Sequence, residues 1–274
     1  MSARMIGSVA ALFRYPVKSM IGEELQVTRV GPKGFQGDRA FALADAETGK
    51  IASAKNPSKW PTLFNYRANF VRPLDESGEL PSVCITLPDG SSVLSNDQDI
   101  ANRLSSNLGK PVRFLKGATA KGTLEEYWPD IEGLARRDVV TDEAMPEETF
   151  FDCGTVHLLT TTTLASFQSA YPEGRFETRR FRPNLLIQTP PELTGYPENG
   201  WNEKILAIGN DVKIKVTGPC GRCVMTTLPQ GDLPKDVGIL KTAAKQNQAW
   251  VGAYASVLIG GSIRAGDTIQ LQAP

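Results

Sequence analysis

Short apolar runs broken by turn residues recur along the chain. Leu25, Val27 and Val30 lead into Gly31-Pro32-Lys33-Gly34, a strand and a turn, and Phe41 and Leu43 follow. Cys84-Ile85-Thr86-Leu87 and Ser92-Val93-Leu94 flank Pro88-Asp89-Gly90, which predicts a hairpin. Val212, Ile214 and Val216 alternate with Lys213 and Lys215, so one face is wet and the other buried. Val257-Leu258-Ile259, the Gly260-Gly261 break and the stretch Thr268 to Leu271 read as two more strands. Helices are few. Ser95 with Gln98 resembles a capping box, after which Ile100, Leu104 and Leu108 recur at helical spacing until Gly109. A second helix is expected from about Leu164 to Ala170, led in by a threonine run and closed by Pro172. A third is expected from roughly Asp236 to Gln246, with Leu240, Ala243 and Ala244 on its buried side. The pattern predicts a mainly β, α+β protein.

The stretch from Lys116 to Thr149 interrupts this rhythm. It is charged, carries Gly122, Pro129, Gly133 and Pro146, and lacks sustained periodicity. It divides the chain into an N-terminal β unit over 1–116, a linker or start of the second unit over 117–149, and a larger C-terminal β unit over 150–274. A chain of 274 residues has room for one or two domains.

Composition narrows the function by exclusion. Thirty basic residues balance thirty acidic ones, which argues against a nucleic-acid partner, and no polybasic run marks a membrane surface. The longest apolar stretch near the start, Val9 to Phe13, is too short for a spanning helix or a signal core, so a cytoplasmic location is expected. Four cysteines are too few for a disulfide scaffold and suit a reducing compartment. The single histidine, His157, removes any two-histidine zinc site and reads as a strand residue with a satisfied ring.

Candidate chemistry gathers elsewhere. In Gly218-Pro219-Cys220-Gly221-Arg222-Cys223, an arginine beside Cys223 in a turn is expected to favour thiolate, which is both a nucleophile and a soft-metal ligand. The same spacing also suits a buried structural thiol or a dithiol pair, whereas a zinc site lacks further ligands. Lys18-Ser19 after Tyr15-Pro16-Val17, and Arg39 in Gly37-Asp38-Arg39, combine donors that suit a phosphate or sit as ordinary surface residues. Arg179, Arg180 and Arg182 crowd into four positions before Asn184, a cluster that an anion would neutralise.

Taken in order, Tyr15 to Ser19, Gly37 to Arg39, His157 to Leu164, Phe181 to Asn184, Arg222-Cys223 with Val224 to Leu228, and Gly261 to Asp267 resemble the MOSC-domain superfamily. They resemble most the branch containing the mitochondrial amidoxime reducing component and its bacterial relatives. The resemblance implies an N-terminal MOSC-associated β-barrel ahead of a MOSC β-barrel, and a bound molybdenum–molybdopterin cofactor. It implies Cys223 as the metal ligand and catalytic sulfur. Lys18, Ser19, Arg39, Arg182 and Asn184 would hold the cofactor, Arg222 would flank the metal, and Thr161, Thr162 and Thr163 would supply a polar loop. Cys220 lies outside the family's motif and is expected to act as a resolving thiol or to be dispensable. Each charge-assisted contact to such a cofactor is worth about 1.5–3 kcal/mol.

The implied activity is reduction of N-hydroxylated compounds such as amidoximes, hydroxylamines and N-hydroxylated bases. Electrons are expected from a separate donor protein of ferredoxin, flavoprotein or cytochrome b5 type, since relatives with a fused ferredoxin domain carry it after the MOSC domain. Two other expectations remain open: a sulfur carrier with a persulfide on Cys223, and a non-catalytic binder of a phosphorylated small molecule.

Overall fold

The computed structural model describes residues 4–75, 78–117, 122–146 and 149–273. Seven strands close on themselves. Around the barrel run Leu185–Gln188, Val156–Thr160, Trp250–Ile259, Val212–Gly221, Ile205–Ile208, Thr268–Gln272 and Arg4–Arg14, and the last pairs back onto the first. Apolar alternation fills the interior, with Leu12, Leu158, Ile187, Leu206 and Ile269 almost fully buried. The period-two pattern over Val212–Gly221 forms the expected strand.

The closing strand, Arg4–Arg14, comes from the start of the chain. The sequence assigned residues 1–116 to an N-terminal unit, but this strand belongs to the C-terminal barrel. Its pairing shifts register between Met5 and Gly7 and again between Val9 and Ala11. Those irregularities break the two-residue period and hide the strand from pattern reading. Gly7 (φ 149°) is needed here, because a Cβ would lie 2.1 Å from the Gln188 carbonyl oxygen.

The N-terminal unit is built from the pair Phe41–Asp45 and Val112–Lys116, and from the sheet Arg67–Phe70, Val83–Thr86 and Ser92–Leu94. The Pro88-Asp89-Gly90 hairpin forms with Cys84 opposite Leu94. The helix Ile100–Leu108 ends at Gly109 in the left-handed conformation, as expected. Ser95 does not cap it. Its hydroxyl accepts the Val83 N–H at 2.8 Å, so it belongs to the hairpin, and the helix begins after Asp99.

The presumed seam is largely ordered. Thr123–Trp128 and Val139–Ala144 form a hairpin of six residue pairs, while residues 118–121 and 147–148 of that stretch lie outside the described residues. Leu124 and Met145 pack on Ala42, Ala44 and Ile51. Its charges read as loop because Glu125 and Glu126 pair with half-buried lysines of the N-terminal unit. The two units interleave further: Gly261–Arg264 pairs with Val27–Gly31, and Cys223, Met225 and Leu228 pack into the core around Val17, Met20 and Phe64.

The remaining helices are Thr161–Ala170, Thr178–Phe181 and Gly238–Asn247. The threonine run is the first turn of the first of these, because the Thr160 hydroxyl accepts the Thr163 N–H at 3.1 Å. Thr160 and Thr163 also donate to Glu198 Oε2 at 2.9 and 2.8 Å, while Glu198 Oε1 has no hydrogen-bond partner among the described residues. Burial raises the Glu198 carboxyl above its ordinary range. The folded protein therefore prefers the proton. Stability is complete below the unfolded value of about 4.3 and is lost as pH climbs through the folded value. Glu198→Gln is expected to melt higher than the parent at neutral pH and to lose that part of the pH dependence. A melting series in which parent and variant keep the same slope between acid and neutral pH would reject this assignment.

Candidate functional site

Where the barrel meets the N-terminal unit, the chain leaves Arg4–Arg14 through Tyr15, Pro16 and Val17, all buried. Lys18 follows, held by its backbone N–H to the Phe41 carbonyl at 2.9 Å, and its ammonium reaches the Phe150 carbonyl at 2.8 Å and the Asp152 carboxylate. Ser19 (φ 61°) turns the chain, and its hydroxyl accepts the Ala54 N–H at 3.1 Å. Arg39 (φ 47°) ends the Gly37-Asp38 turn, and Arg182 (φ 53°) ends the short helix Thr178–Phe181. Three of the non-glycine residues in the left-handed region thus line one cavity. Such strain gathers where function over-determines the backbone.

The Tyr15 ring packs against two guanidinium groups, with Arg39 at 4.4 Å and Arg182 at 4.1 Å from its centroid. Asp38 anchors this group. It accepts from the Tyr15 N–H at 2.7 Å, from Asn184 Nδ2 at 2.8 Å and from Arg39. Asn184 Oδ1 in turn accepts the His157 N–H at 3.1 Å, tying Asp38 to the barrel. His157 is the satisfied strand residue expected, with Nε2 3.1 Å from the Val251 carbonyl.

The cavity brings together Lys18, Ser19, Arg39 and Arg182 with Asn184, Arg222 and Cys223. Thr161, Thr162 and Thr163 do not line it. Wound into a helix instead of a polar loop, they turn Thr163 onto Glu198 and Thr162 onto Thr189. The arginine cluster also divides. Arg180 is buried among the Arg175, Thr226, Leu228 and Pro234 carbonyls, Arg179 pairs with Glu177 and Asp232, and only Arg182 reaches the cavity.

Four polar lining residues escaped sequence reading: Lys55, Asp152, Cys153 and Tyr254. Lys55 contacts Glu126 at 3.0 Å and Asp152 at 3.6 Å. Nothing in Ala54-Lys55-Asn56 signals this, since it depends on the unforeseen hairpin. Asp152-Cys153-Gly154 carries a turn signal after two phenylalanines, which is the one clue available. Cys153, distant in sequence from the Cys220/Cys223 pair, shares the cavity with Cys223.

Electrostatics separates the groups. Five cations line the cavity (Lys18, Arg39, Lys55, Arg182, Arg222), against the carboxylates Asp38, Asp152 and Glu126 beside them. Burial, seconded by Arg39, lowers Arg182 to about 10. Burial likewise lowers Lys18 despite its pairing with Asp152. For Asp152 burial acts upward, but Lys18 and Lys55 hold it well below the carboxylate range. The open space is about 70 Å³, with Asp152 drawn across it onto Lys18 and Lys55.

The two cysteines reverse the expectation. Burial and Glu126 push the Cys223 thiol up to about 12, against Lys55 and Arg222. For Cys220 burial also acts upward, but Arg222 and His157 prevail and draw it down to about 6. The arginine therefore serves the earlier sulfur: Arg222 Nη1 meets Cys220 Sγ at 2.7 Å. In ligand-free protein the thiolate absorbance near neutral pH is expected to vanish in Cys220→Ser and to persist in Cys223→Ser. The opposite pattern in an ultraviolet titration would overturn the assignment.

A model of the MOSC N-terminal beta barrel domain matches residues 6–106, and a model of the MOSC domain matches residues 146–270. Among solved structures, the YUAD protein from Bacillus subtilis aligns over 99% of this chain and 98% of its own, at 10% identity and a TM-score of 0.50. YiiM from Geobacillus stearothermophilus aligns over 43% of this chain and 54% of its own, at 19% identity and a TM-score of 0.33. No curated protein matches the chain. No helix among the described residues is long and apolar enough to cross a membrane. The fold, the two matched regions and their order agree: this chain belongs to the MOSC superfamily, with a MOSC N-terminal barrel domain preceding its MOSC domain.

Proposed function

We propose that this protein is a molybdenum–molybdopterin-dependent reductase of N-hydroxylated compounds. The observation that carries the reading is the convergence of Lys18, Arg39, Arg182 and Arg222 on the cavity that holds Cys223. The fit to an anionic pterin cofactor rests on charge and on an unmet donor. Cationic side chains outnumber the neighbouring carboxylates, and Arg222 Nε is buried without a hydrogen-bond partner among the described residues. No group of three or more His, Cys, Asp or Glu among the described residues is placed to hold a metal. A metal at Cys223 must then bring its other ligands with it, as a dithiolene does.

Lys18, Ser19, Arg39 and Arg182 would grip the phosphate and pterin, in part by replacing Asp152 as the partner of Lys18 and Lys55. Asn184 acts from behind, holding Asp38 and through it Arg39. Cys223 would give up its proton on ligation, which makes loading easier at higher pH. When bound, the cofactor supplies the two-electron chemistry by which an N–OH group becomes N–H and water, with two protons consumed. A separate electron-donor protein would return the two electrons. Lys55, held above the ordinary lysine range because Asp152 and Glu126 outweigh its burial, keeps a positive charge beside that sulfur.

A second reading, sulfur transfer through a Cys223 persulfide, is favoured by one observation: Cys153 faces the same cavity and is exposed. Protein made in a cofactor-competent host separates the two. The reductase is expected to contain close to one molybdenum per chain and to reduce an aryl amidoxime with a chemical electron source. Cys223→Ala is expected to lose metal and turnover while its melting temperature falls by only about 2–4 °C, since truncating so small a buried side chain costs only about 1 kcal/mol. Metal-free parent protein carrying a reducible persulfide on Cys223 would establish the carrier instead.

A further inference from the structure

Cys220 is fully buried at the end of the strand Val212–Gly221 and has no place in the reading above. Its surroundings are unusual for a structural thiol. Arg222 Nη1 donates to its sulfur at 2.7 Å, and the side chains of His157 and Tyr254 lie against it. The same guanidinium donates through Nη2 to the Phe181 carbonyl at 3.0 Å, and the Arg222 backbone N–H is held by the Ala249 carbonyl at 2.8 Å. Two of the three guanidinium nitrogens are therefore fixed from behind, on the sulfur and on a carbonyl. The third, Nε, is buried with no partner among the described residues, in a side chain that lines the Cys223 cavity. A buried, unpaired N–H costs free energy unless a ligand completes it.

We propose that Cys220 is a positioning residue: its sulfur locks the Arg222 guanidinium so that Nε is offered to a hydrogen-bond acceptor, an anionic oxygen or sulfur, of whatever occupies the Cys223 cavity. The identity of that acceptor as part of a molybdopterin cofactor rests on the function proposed above, whereas the lock itself does not. An arginine side chain has several rotatable bonds, and freezing them costs side-chain entropy. A sulfur and a carbonyl that hold both terminal nitrogens meet that cost before the ligand arrives, so binding through Nε is pre-organised. Cys220 is thus neither a resolving thiol nor a spectator, and Cys220→Ala is not a mild change.

The test has an arm that needs no cofactor. In ligand-free protein with 15N-labelled arginine, the parent is expected to show a resolved, slowly exchanging Nε–H resonance that disappears in Arg222→Lys. In Cys220→Ala that resonance is expected to broaden into the bulk arginine envelope with the melting temperature little changed, and in Cys220→Ser to survive partly. Absence of the resonance in the parent, or its persistence unchanged in Cys220→Ala, overturns the proposal. Should Cys220→Ala fail to fold, Cys220→Ser carries the same comparison. In the second arm, protein from a cofactor-competent host is assayed for molybdenum. Cys220→Ala and Arg222→Lys are each expected to lower the metal content roughly tenfold, the effect of losing one charge-assisted hydrogen bond. The double variant is expected to lose no more than either alone, because both changes remove the same contact. Full loading in Cys220→Ala refutes the inference while leaving the reductase reading intact. A metal-free parent with the resonance present refutes the reductase reading and leaves the lock standing.

Discussion

Burying cations together is the constraint on which this molecule turns. Removing an ion from water is expensive, and removing several of one sign beside each other more so. Lys18, Arg39, Lys55, Arg182 and Arg222 line one cavity, and Arg39, Arg182 and the Ser19 next to Lys18 hold a left-handed backbone. The chain offsets part of the charge with Asp38, Asp152 and Glu126, and part with the Tyr15 ring packed against Arg39 and Arg182. The remainder is the charge that the proposed anionic cofactor would offset. Neither the strain nor the excess charge contributes to folding, so both point to binding.

The interleaved architecture follows from that need. Here the first strand closes the C-terminal barrel, and the chain then leaves it at Tyr15 to build the N-terminal unit. Lys18 and Arg39 consequently stand at the border, opposite Arg182 and Arg222 from the barrel side. The turn after Cys223 repays the exchange by packing Met225 and Leu228 into the N-terminal core, which fixes the sulfur between the two units. Arg180, bonded to the Thr226 and Leu228 carbonyls, pins that same turn from below.

Regular elements were legible in the sequence wherever the period held. Val212 to Val216, the Pro88-Asp89-Gly90 hairpin and the Gly109 stop all form as their patterns predict, and the residues that reach the cavity include most of those singled out. Legibility failed for definite reasons. Bulges in Arg4–Arg14 erased its alternation. The hairpin over 123–144 read as a charged linker without periodicity, yet several of its charges pair with Lys50, Lys55 and Lys59. The arginine triplet looked like one site, yet helical geometry sends its members in three directions. Sequence proximity also misassigned the partner of Arg222: the adjacent Cys223 was the obvious choice, but the side chain turns back to Cys220.

That last reversal has a chemical logic. A thiolate open to solvent is the form most readily oxidised. In this protein the sulfur that lines the cavity, Cys223, is held as a thiol by burial and by Glu126, so it is slow to react. The sulfur whose proton is drawn off, Cys220, has no exposed surface and is covered by Arg222. Accessibility and reactivity are thus placed on different atoms three residues apart. A single cysteine beside an arginine could not keep them separate, because the charge that orients the guanidinium would also activate the sulfur it faces. Two cysteines allow one to hold the arginine and the other to face the cavity as a thiol.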